Sequence, residues 1–370
     1  MLYAEWRKTL SKKHYIIPIF VPHEGCPHNC VFCNQNSITG QLEKVNEYTV
    51  KETAEQYFKT IDRTNSIIEI SFFGGTFTAI PAEKQIELLS VAKSYKAEGK
   101  INFIRLSTRP DYIDDEILTM LRAYSVDIIE LGVQSMDNEV LKLSGRGHTK
   151  TDTINASKKI KEYGFTLGHQ IMLGLPGDSP KKDISTVIEC LKLNPDLCRI
   201  YPALVLKDTP MEVMYEKGIY KPYILDEAVQ IAKQLYSMFK YNKVNIIRVG
   251  LQATDNISEG KDIVTGPNHP AFRELVEGSL LCDMIKENIE NLEDEVEIHI
   301  NPKYISKLYT NRKQYFLQLK EAKNIPLIHI ISDTSIDNEA IFIKNNTKCW
   351  NMSINDYIYE KVKEGKFYII

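Results

Sequence analysis

No run of about 18 apolar residues occurs in this 370-residue chain, which excludes a membrane-spanning helix. Charge of one sign does not dominate either. Lys and Arg number 46 against 49 Asp and Glu, a net charge of -3, so no global basic field recruits nucleic acid. Any such binding must come from a local patch. The apolar stretch Tyr15–Pro22 is too short for a secretory signal, holds two prolines and lacks a small-residue cleavage site, so a cytoplasmic location is expected. Internal repeats and low-complexity segments are absent. Cysteines are few and odd in number: seven cannot all pair, and three of them crowd into eight residues. In an intracellular protein such crowding points to metal binding rather than to a disulfide.

What is present is ordinary for a globular protein. Hydrophobic residues make up 43% and charged residues 26%, enough for a sizeable core, which excludes a disordered chain, a collagen-like chain and a small disulfide scaffold. At roughly 150 residues per domain the length predicts about two domains. Apolar runs alternate with helical periodicity to about residue 250. The predicted strands are Tyr15–Val21, Ile67–Phe73, Ile101–Ser107, Asp127–Gln134, Leu167–Leu173 and Leu197–Leu204. The predicted helices between and after them are Thr49–Ile61, Pro81–Lys96, Asp114–Tyr124, Thr151–Tyr163, Pro180–Leu191 and Leu225–Phe239. Val244–Val249 is a candidate for one further strand. Strand–helix alternation argues parallel strands with right-handed crossovers. The fold expected is α/β, a (β/α)6 partial barrel, with an open doubly wound sheet as the competing architecture.

The loop after the first strand reads His23-Glu24-Gly25-Cys26-Pro27-His28-Asn29-Cys30-Val31-Phe32-Cys33-Asn34. Three thiolates at C-x3-C-x2-C can converge on one centre. A 4Fe–4S cube has four irons, so three cysteines leave one iron open to a non-protein ligand. The alternative is a structural zinc site closed by His23 or His28. Three buried cysteines without metal is the blander reading, and Pro27, His28 and Asn29 are poor residues for an apolar core stretch. Loops of this kind lie at the C-terminal face of a barrel, where its chemistry is built.

C-x3-C-x2-C, with Phe32 just before the last cysteine, resembles the radical S-adenosylmethionine (SAM) superfamily. The resemblance implies a 4Fe–4S cluster on Cys26, Cys30 and Cys33 whose open iron binds the amino and carboxylate groups of SAM. One electron then splits SAM into methionine and a 5′-deoxyadenosyl radical, which abstracts a hydrogen atom from the substrate. Gly74-Gly75-Thr76 stands where the family's glycine pair binds the methionine amino group; Thr76 replaces the Glu of many members.

Thr108-Arg109-Pro110-Asp111-Tyr112, Gly132-Val133-Gln134-Ser135, Arg146-Gly147-His148-Thr149 and Arg248-Val249-Gly250-Leu251-Gln252 resemble the branch holding the catalytic subunit of Elongator, over about residues 14–255. The oxygen-independent coproporphyrinogen oxidase branch shares Gly-Gly-Thr, Val-Gln-Ser and Gly-Leu-Pro-Gly. By that similarity Ser107, Gln134, Arg146 and Gln170 contact SAM ribose, adenine or carboxylate, with Glu130 and Tyr201 as further candidates. Elongator's subunit carries a C-terminal acetyltransferase domain. Here only 25 residues precede Cys26 and residues 291–370 are too few for such a domain, so acetyl transfer is not expected.

The domain division expected is a radical SAM core at residues 1–255, a connecting loop and helix at 256–290, and a small α+β unit at 291–370. The last reads as strand Val296–Ile300, helices Lys303–Leu308 and Lys313–Lys323, strands Leu327–Ser332 and Ala340–Lys344, and helix Ile354–Glu364. That order resembles a KH-type RNA-binding module, and Lys303–Lys323 carries six Lys or Arg against one acid. The joining loop, Tyr309-Thr310-Asn311-Arg312, lacks the GxxG clamp. A solvated helical face on a capping domain is the other reading. His269, in a turn-rich segment, reads as a turn or packing residue or as part of a substrate lid. Cys190, Cys198, Cys282 and Cys349 read as buried small apolar residues.

The expected function is therefore a radical SAM enzyme with a 4Fe–4S cluster and SAM as cofactors. A tRNA or other RNA base is the leading substrate, and flavodoxin or ferredoxin the class of reductant. Neither membrane nor DNA is expected as a partner. The alternatives are a small-molecule substrate such as a porphyrinogen, or a non-catalytic protein that carries metal or haem or binds RNA.

Overall fold

The computed structural model describes residues 13–21, 28–34, 45–251, 262–289 and 295–365. Seven strands make one sheet: β1 Lys13–Val21, β2 Ser66–Gly74, β3 Phe103–Thr108, β4 Ile128–Gln134, β5 Thr166–Leu173, β6 Leu197–Pro202 and, after the two-residue β7 Val205–Leu206, β8 Asn245–Val249. Their order is β1-β2-β3-β4-β5-β6-β8 and every pairing is parallel. Each crossover carries a helix: α1 Glu47–Phe58, α2 Ala82–Ala97, α3 Asp115–Ala123, the short α4 Asn138–Leu143 with α5 Lys150–Glu162, α6 Pro180–Lys192, and α7 Pro210–Glu216 with α8 Leu225–Tyr241. This is the curled half-barrel of α/β class that the alternation predicts, with Val244–Val249 supplying the seventh strand.

Local chemistry starts the helices where the pattern requires. Asn46 and Thr149 close capping boxes with Thr49 and Asp152, Asp114 caps α3, and Ser179 caps α6 ahead of Pro180. Strand residues then alternate. Ile17, Ile19, Ile68, Ile70, Phe72, Ile104, Leu106, Ile129, Leu131, Leu167, Ile171, Cys198 and Ile200 pack into one apolar core with the helices. The intervening positions include the charged residues Glu69, Arg105, Glu130 and Arg199, on the opposite side of the sheet from the core.

The predicted strand Leu197–Leu204 is shorter than expected. It ends at Pro202, which has no N–H to continue the ladder, and β7 pairs instead with β9 Ile263–Thr265 in an antiparallel ribbon. Helix α9 Phe272–Asn288 follows and packs on α8. A second sheet then forms from β10 Val296–Ile300, β11 Ile328–Ser332, β12 Ala340–Lys344 and β13 Cys349–Ser353, in the order β11-β10-β12-β13, with α10 Ile305–Leu308, α11 Gln314–Ala322 and α12 Ile354–Lys363. Strand β13 was not expected and alters the β-α-α-β-β-α order. Its inward residues are only Trp350 and Met352, with Cys349 exposed rather than buried. The apolar core runs without a break from the half-barrel through Leu280 and Ile285 of α9 to Ile298, Phe316, Ile341 and Ile358.

Candidate active site at the mouth of the half-barrel

Cys30 and Cys33 share one tight turn, in which the Cys33 N–H donates to the Cys30 carbonyl at 3.0 Å. Cys26 lies outside the described residues. The turn is held by both strands of neighbouring chain. Val31 N–H donates to Ser144 O at 3.1 Å, Met211 N–H donates to Val31 O at 2.9 Å, and Asn34 Nδ2 donates to Lys207 O at 3.0 Å. Phe32 supplies the apolar part. Its ring touches one cluster of Val140, Leu175 and Ala203 and another of Val205, Met211 and Tyr220. The aromatic residue before the last cysteine thus seats the loop against α4 and the ends of β5 and β6.

Arg146 connects this loop to the sheet. Its Nη1 donates to Cys30 Sγ at 3.2 Å and its Nη2 to Gly132 O at 2.6 Å. Arg109, at the end of β3, donates to the Arg146 carbonyl and to both oxygens of Asp111. His28 of the loop faces the same Asp111 at 3.9 Å. Gln134 closes β4 in a left-handed conformation, φ 63°, which costs a non-glycine residue about 1–3 kcal/mol and is found where the surroundings over-determine it. Its Oε1 and the Nε of Arg146 are buried and have no hydrogen-bond partner among the described residues. Two unmet polar atoms of opposite character beside Cys30 are what a bound polar ligand would satisfy.

The glycine pair lies at the root of the same loop. Gly75 N–H donates to Val21 O at 3.1 Å, and Gly74 adopts φ +109°. A Cβ at Gly74 would sit 2.4 Å from Val21 O, so only glycine fits there. Thr76 is buried and begins a one-turn helix at Phe77–Ala79. Among the described residues, Ser107 and Gln170 make no hydrogen bond to the cysteine loop. They are half-buried in the lumen, Ser107 beside Glu130 on β4, and Gln170 between Gly132 and Arg199. Tyr201 is one row higher, next to Met172.

Glu130 is not free to serve a ligand. It accepts from Arg105, and from Arg199 at 2.6 and 3.1 Å. Arg105 also donates to Glu69 at 3.0 Å, and Glu69 meets Ser71 at 2.9 Å and His14 at 3.1 Å. Burial alone would raise the Glu69 carboxyl, but the Arg105 charge and the bonds from His14 and Ser71 hold it at about 2. Burial likewise opposes ionisation of Glu130, and Arg199 and Arg105 overcome it. This chain crosses the lumen from β1 to β6 and was missed in the sequence. Its signal is a single charged residue in each of four otherwise uncharged strands.

The radical SAM superfamily model matches residues 20–189, and the radical SAM C-terminal domain model matches residues 195–281. This chain belongs to the radical SAM superfamily. A tRNA uridine(34) acetyltransferase of Methanocaldococcus jannaschii is 29% identical over 281 residues, which is 65% of this chain and 52% of that protein. An uncharacterized protein of the same organism is 32% identical over 242 residues, 60% of this chain and 70% of that one. Among solved structures, the archaeal Elp3 of Methanocaldococcus infernus with an N-terminal deletion shares the fold, with a TM-score of 0.59 at 24% identity over 74% of this chain and 63% of that chain. The chain thus spans about half the length of the acetyltransferase it matches.

Membership in the radical SAM superfamily implies a 4Fe–4S cluster and SAM. The residues present fit both. Two thiols on one turn, an arginine on one of them and two unmet buried polar atoms stand at one mouth. Among the described residues no set of three metal-ligating side chains is complete, since two of the three cysteines are described. No helix among them is long and apolar enough to cross a membrane.

Proposed function

We propose that the chain is a SAM-cleaving enzyme that modifies RNA, with a tRNA base as substrate. In this proposal Cys26, Cys30 and Cys33 hold three irons of the cluster. Gly74, Gly75 and Thr76 receive the methionine amino group, and Ser107, Gln134, Arg146 and Gln170 contact the ribose, adenine or carboxylate of SAM. The region through residue 255 is the catalytic unit, 256–290 a connector, and 291–370 an accessory unit. The compartment is the cytoplasm, and the reductant is a flavodoxin or ferredoxin.

One observation carries this reading. Arg146 spans from Cys30 Sγ at 3.2 Å to the carbonyl of Gly132 at 2.6 Å, so the cysteine loop and the strand-end polar residues form one rigid site. When bound, the cluster and SAM would supply one-electron cleavage of a sulfonium to methionine and a 5′-deoxyadenosyl radical. The chain's own residues do the rest. Phe32 closes the loop against α4 and the ends of β5 and β6 and keeps water from the cysteine side. Arg146 places positive charge at a thiolate ligand. The Gly74 backbone lets a ligand approach to contact distance, and Gln134, fixed at the end of β4, presents its amide oxygen to that ligand.

RNA as substrate is supported by the tRNA-acting relative, matched over about half its length. Anaerobic reconstitution tests the enzyme. About four irons and four sulfides per chain are expected, with 5′-deoxyadenosine formed from SAM under reductant and abolished in Cys30→Ala. Stable zinc with no SAM cleavage overturns the proposal. RNA binding that weakens steeply with salt is expected, and salt-indifferent binding argues against RNA.

A further inference from the structure

The edge strand β8 contains a bulge. Cys198 pairs with Ile246, but the next residue, Arg199, pairs with Arg248, so Ile247 is the extra residue. Bulges next to functional sites re-aim side chains. Without this one, the residue beside Arg199 would be Ile247. With it, Val249 rather than Arg248 pairs with Ile200 and joins the apolar core, and Arg248 falls into the lumen row Gln170–Arg199–Arg248.

The charges of that lumen balance except for Arg248. Glu69 and Glu130 are matched by Arg105 and Arg199. Arg248 is half-buried and has no hydrogen bond or ion pair among the described residues, whereas Arg199 has three bonds, one of them to the Tyr201 hydroxyl at 3.4 Å. A half-buried guanidinium that lacks a partner in a concave site is suited to an anion, which it can grip through two parallel N–H bonds. Position argues that the anion is not part of SAM. Gly74, assigned above to the methionine end of SAM, is on β2 near one end of the seven-stranded order, and Arg248 is on β8, at the other.

We propose that Arg248, beside the Arg199–Tyr201 pair, is the anchor for a phosphate of the substrate. The phosphate is a backbone phosphodiester of the RNA, and this assignment rests on the RNA reading above. The bulge aims the guanidinium, Glu130 keeps Arg199 from competing for the same anion, and the Tyr201 O–H remains available to donate. Arg248 thereby fixes the strand while the reacting base reaches toward the cysteine side.

The test is binding of an anticodon stem-loop RNA, and separately of uridine 5′-monophosphate, to the anaerobically reconstituted full chain at several salt concentrations. Arg248→Gln is expected to weaken RNA binding about 10- to 100-fold and to reduce the slope of log affinity against log salt by about 0.7. Arg248→Lys, which keeps the charge, is expected to restore the slope and part of the affinity. Lys158→Gln, the same charge loss on the exposed outer face of α5, is the control and is expected to change neither. Wild-type affinity and slope in Arg248→Gln overturn the Arg248 assignment and leave the RNA reading standing. If the nucleotide binds in an Arg248-dependent way and the RNA does not, the phosphate anchor stands and the RNA reading falls. If wild type binds neither, both fall.

Discussion

Arg105→Met cuts the charged chain of the lumen at its centre. In the native protein Arg105 is 1% exposed and bridges Glu69 and Glu130, which are 0% and 1% exposed. The Glu69 carboxyl is held at about 2 against an ordinary 4.5, a difference worth about 3 kcal/mol at 1.36 kcal/mol per tenfold change. Removing one partner of a buried pair costs about 3–5 kcal/mol by itself, because the other charge remains buried. The variant is therefore expected to lose about 3 kcal/mol or more at pH 7. The sign of its pH dependence is more diagnostic. In wild type the folded pKa of Glu69 lies below the unfolded one, so its contribution is present above 4.5 and lost as pH falls toward about 2. In Arg105→Met, burial and the neighbouring Glu130 raise Glu69 above its unfolded value. Its contribution is then fully present below 4.5 and lost as pH rises. Urea midpoints measured from pH 5 to 8 should be nearly flat for this group in wild type and should fall with pH in the variant. Adding Glu69→Gln should flatten the profile again. A variant within about 1 kcal/mol of wild type, or one with the wild-type pH slope, would refute the electrostatic account of the lumen.

Three further outcomes follow from the site. Phe32→Ala removes a half-buried ring shared by two apolar clusters, at a cost of about 2 kcal/mol. It should lower the iron retained after reconstitution while every cysteine is intact, and full iron retention would contradict the seating role of Phe32. Gly74→Ala forces a Cβ to within 2.4 Å of Val21 O at φ +109°. Backbone strain alone costs about 1–3 kcal/mol, so a lowered urea midpoint and weakened SAM binding are expected, and a wild-type midpoint would exclude the close approach. Arg146→Gln withdraws positive charge from 3.2 Å off Cys30 Sγ. The cluster potential, followed by EPR-monitored titration, should become more negative in this variant and return toward wild type in Arg146→Lys; an unchanged potential would show that Arg146 acts only as a strut.

Much of the architecture was legible because strand and helix periods differ. Ile67–Phe73 was predicted and Ser66–Gly74 is found; Pro180–Leu191 was predicted and Pro180–Lys192 is found. Elements too short to show a period were missed, namely Asn138–Leu143, Pro210–Glu216 and Ile263–Thr265. Strand β13 escaped because Trp350 and Met352 alone mark its inner face. The cysteine spacing and the glycine pair are local and therefore visible. The bond from Arg146 to Cys30 joins residues 116 positions apart, and the Glu130–Arg199 pair joins residues 69 apart, so neither can be read from spacing. A charged residue in an apolar strand tells that a partner exists, and only the register tells which.

The register also explains why the lumen can be charged at all. A parallel sheet with helices on one face normally needs an apolar layer on the other. Here Glu69, Arg105, Glu130 and Arg199 lie on β2, β3, β4 and β6 with the signs alternating across the sheet, so Arg105 meets acids on both neighbouring strands and Arg199 reaches Glu130 across β5. Such a layer gives little net stability over an apolar one. What it provides is a rigid polar floor whose hydrogen-bond directions are already fixed. Above or beside that floor lie Ser107, Gln170 and Arg248, which have no side-chain hydrogen bond among the described residues, and Tyr201, whose hydroxyl accepts from Arg199 and can still donate. Replacing Glu69, Arg105, Glu130 and Arg199 together by apolar residues of similar volume should therefore preserve or raise the urea midpoint while weakening ligand binding at the mouth, a separation that a purely structural role for the charges does not allow.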